Sequence, residues 1–323
     1  MIKNNKSVGI IVNPNSGKDI RRLVSSAFVV PQQYKSNELL KIYEGLAKYG
    51  VNKIYVMPDL SDVSRKAREN YSNLIDTVVL KTRNLDEEST TIDSVKKMND
   101  LELKCVIIFG GDGTSRLVSN YLKDIPILAV STGTNNLFPE NIDGTVAGIV
   151  VGKFLNMANE EKFSYKTKKL DVFFDNDYVD SALVDVVATD IPYIGARAVW
   201  SMDYVSEVII NKVKPTGIGF SSIGFNLAKN LKSDESIYVK ISKNKNKSNL
   251  SLHSPIAPGK IEEIFVDNWK LFKKNEIIRI QTHKGTLALD GERRLEFDHL
   301  KKPNIKINKD GPICLNIKEI LSN

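Results

Sequence analysis

The chain is poor in cysteine and in long apolar runs. Only two of its 323 residues are cysteines, and both Cys105 and Cys314 lie inside apolar, strand-like runs. Such positions predict buried free thiols and a reducing compartment. No run approaches the ~18 apolar residues of a membrane span. The start, Met-Ile-Lys-Asn-Asn-Lys, lacks the apolar stretch of a signal peptide. We therefore expect a cytoplasmic protein with no stable membrane insertion.

Histidine is scarce, and the excess of positive charge is modest. The three histidines, His253, His283 and His299, lack the spacing of metal ligands. The formal net charge is +7, and its densest part, Lys240 to Lys247, has no interleaved aromatic residues. That part resembles a solvated hairpin tip, so no nucleic-acid partner is expected. A positive field of this kind attracts small nucleotides equally well.

The two best-known glycine loops, G-x-x-x-x-G-K-[ST] and G-x-G-x-x-G, are absent, which disfavours a P-loop ATPase and an ordinary dehydrogenase. Instead, the apolar run 106–109 ends in Gly110-Gly111-Asp112-Gly113-Thr114 and leads into a helix. Glycines let the backbone approach a polyanion, and a helix start offers N–H groups to phosphate. The alternative is a tight turn in which Asp112 only caps the following helix.

Two further predicted strands end in polar, glycine-containing loops. The strand Val8 to Val12 is followed by Asn13-Pro14-Asn15-Ser16-Gly17-Lys18, and the strand Ile125 to Val130 by Ser131-Thr132-Gly133-Thr134-Asn135-Asn136. Taken singly, each loop is typical of a solvated turn. The carboxyl ends of parallel strands lie at one edge of a sheet, so all three loops are predicted to converge on one ligand. We therefore predict a phosphate site there.

The order of predicted elements defines the fold class. Strands alternate with helices in the first half, which is typical of a doubly wound parallel sheet. The predicted helices are 37–49, 61–73, 89–99 and 144–157, and the other strands are 53–57, 77–81 and 105–109. Residues 17–36 fit either a loop or a short broken helix, because they contain Pro31-Gln32-Gln33.

From about Tyr165 the pattern changes to alternating strands, which predicts a mainly β, sandwich-like second domain. The predicted strands are 170–174, 178–187, 236–241, 262–266, 277–280, 286–289 and 294–297. We predict an α/β domain over residues 1–140 and a mainly β substrate domain over residues 141–305.

The chain resembles the ATP-NAD kinase superfamily, which also contains diacylglycerol and sphingosine-type lipid kinases. Asn-Pro-x-Ser-Gly, Gly-Gly-Asp-Gly-Thr and Thr-Gly-Thr-Asn carry the resemblance. The segment Thr132 to Pro139 is more similar to the acetoin-catabolism protein X branch of this superfamily. Later segments that resemble the same branch are Ile218 to Gly224, Ala257-Pro258-Gly259 and Ala288 to Arg293. The resemblance implies a Rossmann-like first domain that residues 306–323 complete.

The resemblance implies a kinase that uses ATP or polyphosphate with Mg²⁺ and phosphorylates NAD to NADP. Gly110, Gly111, Gly113 and Thr114 would bind phosphate, and Asp112 would act on the acceptor hydroxyl as general base. Further nucleotide contacts are implied at the two flanking loops, namely Asn13, Ser16, Lys18, Thr134, Asn135 and Asn136.

The residues that would contact the acceptor and the metal match the family pattern less well. Many relatives carry an Asn-Glu or Asn-Asp pair that contacts the adenosine part of NAD, whereas this chain has Val184 before Asp185. Asp185 could still accept a ribose hydroxyl. Asp290-Gly291 is a hairpin signal, although the resemblance would also place Asp290 and Glu292 near the metal.

Three functions therefore stay open: an NAD kinase, a kinase of a lipid or small polyol, and a non-catalytic nucleotide-binding accessory protein of a catabolic pathway. The expected partners are small-molecule nucleotides, and the resemblance implies a homo-oligomer, a dimer.

Overall fold

A computed structural model describes residues 6–17, 26, 29–82, 86–133, 136–195, 198–199 and 201–323. It has a mixed α/β architecture in which a parallel sheet comes first and a mainly β part follows. Among the described residues, no helix combines the length and the apolar character needed to cross a membrane.

The helices and strands follow one another in chain order. The first group is β1 (Ser7–Val12), α1 (Gln32–Lys48), β2 (Lys53–Val56), α2 (Arg65–Asn70), β3 (Asp76–Val79), α3 (Glu87–Asn99), β4 (Cys105–Gly110), α4 (Asp112–Tyr121), β5 (Ile127–Ser131), α5 (Gly144–Phe154) and β6 (Ser164–Lys166). The second group is β7 (Lys169–Phe174), β8 (Asp177–Ala182), β9 (Asp185–Thr189), β10 (Val205–Ile210), α6 (Phe220–Leu227), β11 (Glu235–Ile241), β12 (Leu250–Ala257), β13 (Lys260–Lys273), β14 (Ile277–Arg279), β15 (Gly285–Leu289), β16 (Glu292–Phe297), β17 (Pro303–Asn308), β18 (Ile313–Leu315) and α7 (Ile317–Ser322).

The first sheet has the strand order β3-β2-β1-β4-β5-β18-β6. Its first six strands in that order are parallel, and β6 pairs antiparallel with β18. Every residue of β1 and β4 is buried. Side chains of β4 alternate between two cores, with Ile107 in one and Ile108 in the other. Helices therefore cover both faces, and the predicted doubly wound sheet is confirmed.

Helices α1 and α5 pack backbone to backbone on one face of this sheet. A Cβ placed on Gly148 would lie 2.4 Å from the carbonyl oxygen of Ile42, and one on Gly144 would lie 2.4 Å from that of Glu38. Gly45 of α1 faces Gly148 in the same contact. Glycine at these positions lets α1 sit close enough to bury its apolar face.

The second part is a β sandwich. A seven-stranded sheet has the order β12-β13-β11-β10-β9-β15-β16, and a four-stranded sheet has the order β14-β17-β7-β8. One apolar core joins them, with Val172 and Ile305 from the smaller sheet and Ile209 and Leu287 from the larger. The predicted sandwich-like second domain is confirmed as a fold class.

Two sequence predictions were wrong, and one pair of alternatives is decided. Residues 178–187 form two strands, β8 and β9, because the backbone breaks between them. Of the alternatives for residues 17–36, the helical one is confirmed from Gln32 onward, where α1 begins after the extended Pro31. The lysine-rich segment 240–247 is not a hairpin tip, because β11 and β12 both pair with β13 and not with each other.

The last elements return to the first sheet. Strand β18 lies between β5 and β6, and Ile320 of α7 is fully buried in the core beneath α1 and α5. Both α5 and β6 also lie with this sheet, although they follow residue 140 in sequence. The division at residues 1–140 and 141–305 stays a prediction.

Candidate phosphate-binding site

The three glycine-containing loops meet at one edge of the first sheet. Strands β1, β4 and β5 are neighbours, with Val12 opposite Phe109 and Gly110 opposite Ser131. The backbone N–H of Asn13 donates to Phe109 (3.0 Å), and that of Thr132 donates to Gly110 (3.2 Å). The loops therefore leave the sheet side by side, as the sequence predicted.

Side-chain hydrogen bonds then join the loops to one another. The Asn13 Nδ2 group donates to Thr114 Oγ1 at 2.9 Å. The hydroxyl groups of Ser16 and Thr132 share a hydrogen bond. Each bond connects the loop after β1 with one of its two neighbours. Asn13, Ser16 and Thr114 thus belong to one cluster of polar groups.

Close contacts leave no room for a Cβ atom at two glycines of the central loop. A Cβ on Gly110 would lie 2.8 Å from the Thr114 side chain, and one on Gly111 would lie 2.9 Å from Asn136 Oδ1. Helix α4 begins directly after Gly111, which has no side chain of its own to cap the first turn. The start of such a helix attracts anions through its N–H groups and its dipole.

The carboxylate of Asp112 turns toward the loop after β5. It accepts hydrogen bonds from the backbone N–H groups of Leu137 (3.0 Å) and Phe138 (2.7 Å). The N–H of Asp112 donates to Asn136 Oδ1 at 3.4 Å, and Asn136 Nδ2 donates to Ser131 Oγ at 2.9 Å. Asp112 therefore links the central loop to the third loop, rather than capping its own helix.

Lys35, which sequence reasoning missed, lies directly beneath the first loop. Its side chain is fully buried in α1, and its ammonium donates to the carbonyl oxygens of Asn13 (3.2 Å), Pro14 (2.6 Å) and Ser16 (2.7 Å). These bonds fix the loop and place a positive charge under it. The available signal was a lysine in phase with the apolar residues Leu39 and Ile42.

Asp290 lies in a buried turn at the edge of the second part. Its φ is +51° and that of Gly291 is +82°, as the Asp-Gly hairpin signal predicts. The carboxylate accepts from the backbone N–H groups of Leu183 (3.0 Å) and Val184 (2.7 Å). Burial raises the pKa of Asp290 to about 7; Arg116 opposes that shift and Asp112 adds to it. A metal-ligand role for Asp290 is not supported by this geometry.

Glu292 is the acidic residue placed toward the glycine loop. Its carboxylate lies 3.5 Å from the position that a Cβ on Gly113 would take. Within the described ranges, no group of three or more histidine, cysteine or acidic side chains is arranged to hold a metal ion. Mg²⁺ needs only one or two carboxylates when substrate phosphates and waters complete its shell, and Glu292 fits that donor set.

A buried ion network connects this site to the sandwich. Arg116 of α4 donates to both carboxylate oxygens of Asp180, at 2.9 and 2.8 Å. Arg294 lies 3.8 Å from Asp180 and donates to Glu88 at 3.0 Å. The Arg116 side chain is 2% exposed. Sequence reasoning missed this network because its members are far apart along the chain.

The remaining predicted residues divide into two groups. Asp185 and Val184 are both buried at the start of β9, and Val184 packs in the core with Leu137 and Phe138. Lys18, Thr134 and Asn135 lie outside the described residues.

Comparisons with known proteins match both parts of the chain. Residues 8–156 match the ATP-NAD kinase N-terminal domain, and residues 168–310 match the acetoin catabolism protein X C-terminal domain. Acetoin catabolism protein X of Cupriavidus necator is 30% identical over 305 residues, covering 90% of this chain and 84% of that protein.

Among solved structures, the chain is similar to a diacylglycerol kinase from Bacillus anthracis str. Sterne, with 13% identity, 96% coverage of each chain and a TM-score of 0.47. A structure described as a putative diacylglycerol kinase from the same organism gives 14% identity, the same coverage and the same TM-score.

Proposed function

Because this chain belongs to the acetoin catabolism protein X family and carries an ATP-NAD kinase N-terminal domain over residues 8–156, we propose that it is a kinase. In this proposal it transfers a phosphoryl group from ATP or polyphosphate to the adenosine ribose 2′-hydroxyl of NAD, giving NADP. The observation that supports this most is the junction of three polar loops through the Asn13–Thr114 and Ser16–Thr132 hydrogen bonds. The cytoplasmic location and the dimer stay predictions.

A protein that catalyses phosphoryl transfer mainly positions the two reactants and stabilises negative charge. In our proposal the backbone of Gly110 to Gly113 and the start of α4 hold the donor phosphates. Lys35 supplies positive charge from beneath the loop after β1. Asn13, Ser16 and Thr114 add donors at the side, which suits the several oxygens of a phosphate chain.

Asp112 is proposed to orient the acceptor hydroxyl and to accept its proton as phosphorus is attacked. The N–H groups of Leu137 and Phe138 fix the direction of its carboxylate. Glu292 would hold a Mg²⁺ ion together with the donor phosphates, and such an ion neutralises charge on the transferring group.

One observation favours a second class of acceptor. Val184 presents an apolar side chain that packs with Leu137 and Phe138, at the position where NAD kinases commonly place a polar residue for adenosine. We therefore keep another alcohol, such as a lipid or a small polyol, as the alternative acceptor. A non-catalytic accessory protein is the remaining alternative.

The purified full chain should be incubated with Mg²⁺, NAD and either ATP or polyphosphate, with NADP detected by an NADP-specific dehydrogenase. NADP formation supports the proposal. Consumption of the donor only with another alcohol identifies the alternative acceptor. No use of any phosphoryl donor contradicts a kinase of either kind.

Substitution of Asp112 tests the proposed function at a single residue. In Asp112→Asn we expect turnover to fall by about a hundredfold or more with little change in nucleotide affinity, because the amide oxygen still accepts from Phe138. In Asp112→Ala both should fall, since the loop after β5 loses its acceptor. Steady-state kinetics and nucleotide titration measure the two effects. Normal turnover in Asp112→Asn would remove Asp112 from the proposed role.

A further inference from the structure

A cavity of about 490 Å³ opens in the second part of the chain. It lies between the segment that follows β10 and the segment that connects α6 to β11. Four lysines line it, namely Lys168, Lys212, Lys229 and Lys232, and its lining contains no aspartate or glutamate. We call it the lysine cavity. Its volume is within the range of small-molecule sites, roughly 300–1,000 Å³.

Two of the four lysines have contacts that hold them to the protein. The Lys168 ammonium donates to the carbonyl oxygens of Lys232 and Glu235, and Lys232 lies 3.6 Å from the Glu235 carboxylate. Among the described residues, neither Lys212 nor Lys229 forms an ion pair, although the charges of Glu140 and Asp112 act on Lys212 from a greater distance. The cavity therefore keeps an excess of positive charge.

Lys212 is the most informative of these lysines. It is half-buried, and its ammonium lies 5.0 Å from the centre of the Phe138 ring. Burial, together with the charge of Lys214, lowers the pKa of Lys212. A cation in a poorly hydrated place is stabilised by a bound anion more than a solvated surface lysine would be.

Part of the cavity lining is apolar. Phe225, Leu231 and Pro215 contribute to its lining, and they offer surface to a carbon skeleton or a ring. Asn211 is also part of the lining, and its Nδ2 group donates to the carbonyl oxygens of Leu183 (2.8 Å) and Lys168 (3.1 Å). These bonds connect the cavity wall to segments next to β7, β8 and β9 of the sandwich.

We propose that the lysine cavity binds a phosphate-bearing metabolite, with the phosphate among Lys212, Lys229 and Lys232 and the organic part against Phe225 and Leu231. The cavity lining shares no residue with the three glycine-containing loops, although Lys212 lies over the ring of Phe138, just beyond the third loop. Anion binding there does not require the proposed kinase activity. Phosphate can come as free diphosphate or on a nucleoside, and both share the chemistry that lysines recognise.

The full chain should be titrated with inorganic diphosphate, ADP and adenosine at constant ionic strength. Lysine labelling by reductive methylation, read by mass spectrometry, then locates the bound anion. We expect diphosphate or ADP to slow labelling of Lys212 and Lys229 while the exposed Lys274 and Lys302 are labelled as before. Protection by diphosphate alone indicates a free phosphate ligand, and protection by ADP indicates a phosphate carried on an organic group.

A pair of matched variants completes the test. Lys229→Gln/Lys232→Gln should reduce the protection of Lys212 and weaken the anion binding detected there by about tenfold. Lys274→Gln/Lys302→Gln removes the same charge from exposed positions outside the cavity and should leave it unchanged. Equal weakening by both pairs, protection by adenosine as strong as by ADP, or no protection of Lys212 and Lys229 at saturation would each overturn the proposal.

Discussion

Asp290 combines an unusual backbone conformation with a buried carboxylate. The left-handed φ is easily reached by aspartate in an Asp-Gly turn. Because of that turn, the carboxylate meets the backbone N–H groups where β8 passes into β9, and it also lies 3.9 Å from Arg116 Nε. One residue thus fixes the break between two strands and faces the ion network.

We predict that Asp290 makes stability depend on pH. An ordinary aspartate has a pKa of about 3.9, whereas burial raises the pKa of Asp290 to about 7. Between these values the folded chain binds a proton that the unfolded chain has released. Its contribution to the free energy of unfolding is therefore complete below pH ~4 and is lost as pH rises through about 7.

The variant Asp290→Asn should lack this part of the pH dependence, because its amide stays neutral and still offers an acceptor oxygen. Urea unfolding at several pH values between about 5 and 8 measures the difference from the parent chain. Relative to the parent, the variant should become more stable as pH rises. Asp177→Asn, at an exposed hairpin end, is the control. Parallel curves for Asp290→Asn and the parent would contradict the prediction.

Site residues that directly follow a buried strand could be predicted from the sequence. Residues whose role depends on a partner far along the chain could not. Gly110 to Thr114 and Asn13 could be placed because each directly follows a buried strand. Arg116 lies only two residues beyond Thr114, yet its carboxylate partner Asp180 is 64 residues away. No local pattern in the sequence marks such a pair.

At the scale of elements, the packing of α1 on α5 depends on the spacing of three glycines in α5. Gly144, Gly148 and Gly152 lie on one face of that helix, where a Cβ would meet Glu38, Ile42 and Tyr49 of the facing segment. The close approach buries Leu39, Ile42 and Leu46 of α1. Because Lys35 belongs to the same helix, this packing also sets the position of the first phosphate loop.

We predict that Gly148→Ala destabilises the chain by about 3 kcal/mol. Alanine is the better helix former by about 1 kcal/mol, but its methyl group would lie 2.4 Å from a backbone oxygen of α1. The helices must separate, and backbone atoms cannot rotate away. Gly195→Ala, where a Cβ meets nothing within 4 Å, should be nearly neutral. Urea unfolding of both variants checks this, and equal stability would contradict it.

Strands that are long and buried were predicted correctly. Predictions failed where contacts with distant parts of the chain determine the secondary structure. The strands of the parallel sheet read as apolar runs, since helices cover both of their faces. Strands β10, β12 and β17 and helix α6 were not predicted. The run around Cys314 was predicted to be strand-like, but nothing in the three residues of β18 marks β5 and β6 as its partners. Residues 178–187 were predicted as one strand. The break between β8 and β9 is held by the Asp290 carboxylate, which is 106 residues from Val184 along the chain. No local pattern in residues 178–187 therefore marks the break.

At the scale of the whole molecule, α4 of the first part is joined to β8 and β16 of the sandwich by the Arg116 network. The guanidinium contacts Asp180 through two hydrogen bonds in a nearly dry environment. Loss of one partner leaves the other charge buried without compensation, which costs far more than loss of an exposed pair. The network therefore ties α4 of the first part to strands of the sandwich.

We predict that Arg116→Met lowers the free energy of unfolding by about 3–5 kcal/mol. The matched control is Arg65→Met in the exposed pair Arg65–Glu69, whose side chains are 68% and 64% exposed; it should cost about 1 kcal/mol or less. A double-mutant cycle with Asp180→Asn measures the coupling. A coupling energy near zero would show that the network does not join the two parts.

The position of β18 has a consequence for how the protein is made. The sheet that begins with the first described residues receives this strand between β5 and β6 only after the whole sandwich has been synthesised. Until then the edge of β5 is open near Ile127, whereas the carbonyl oxygen of Ala129 and the N–H of Ser131 are already paired with Glu140, which follows soon after in the chain. The short open edge is a place where a wrong strand can pair until β18 is added.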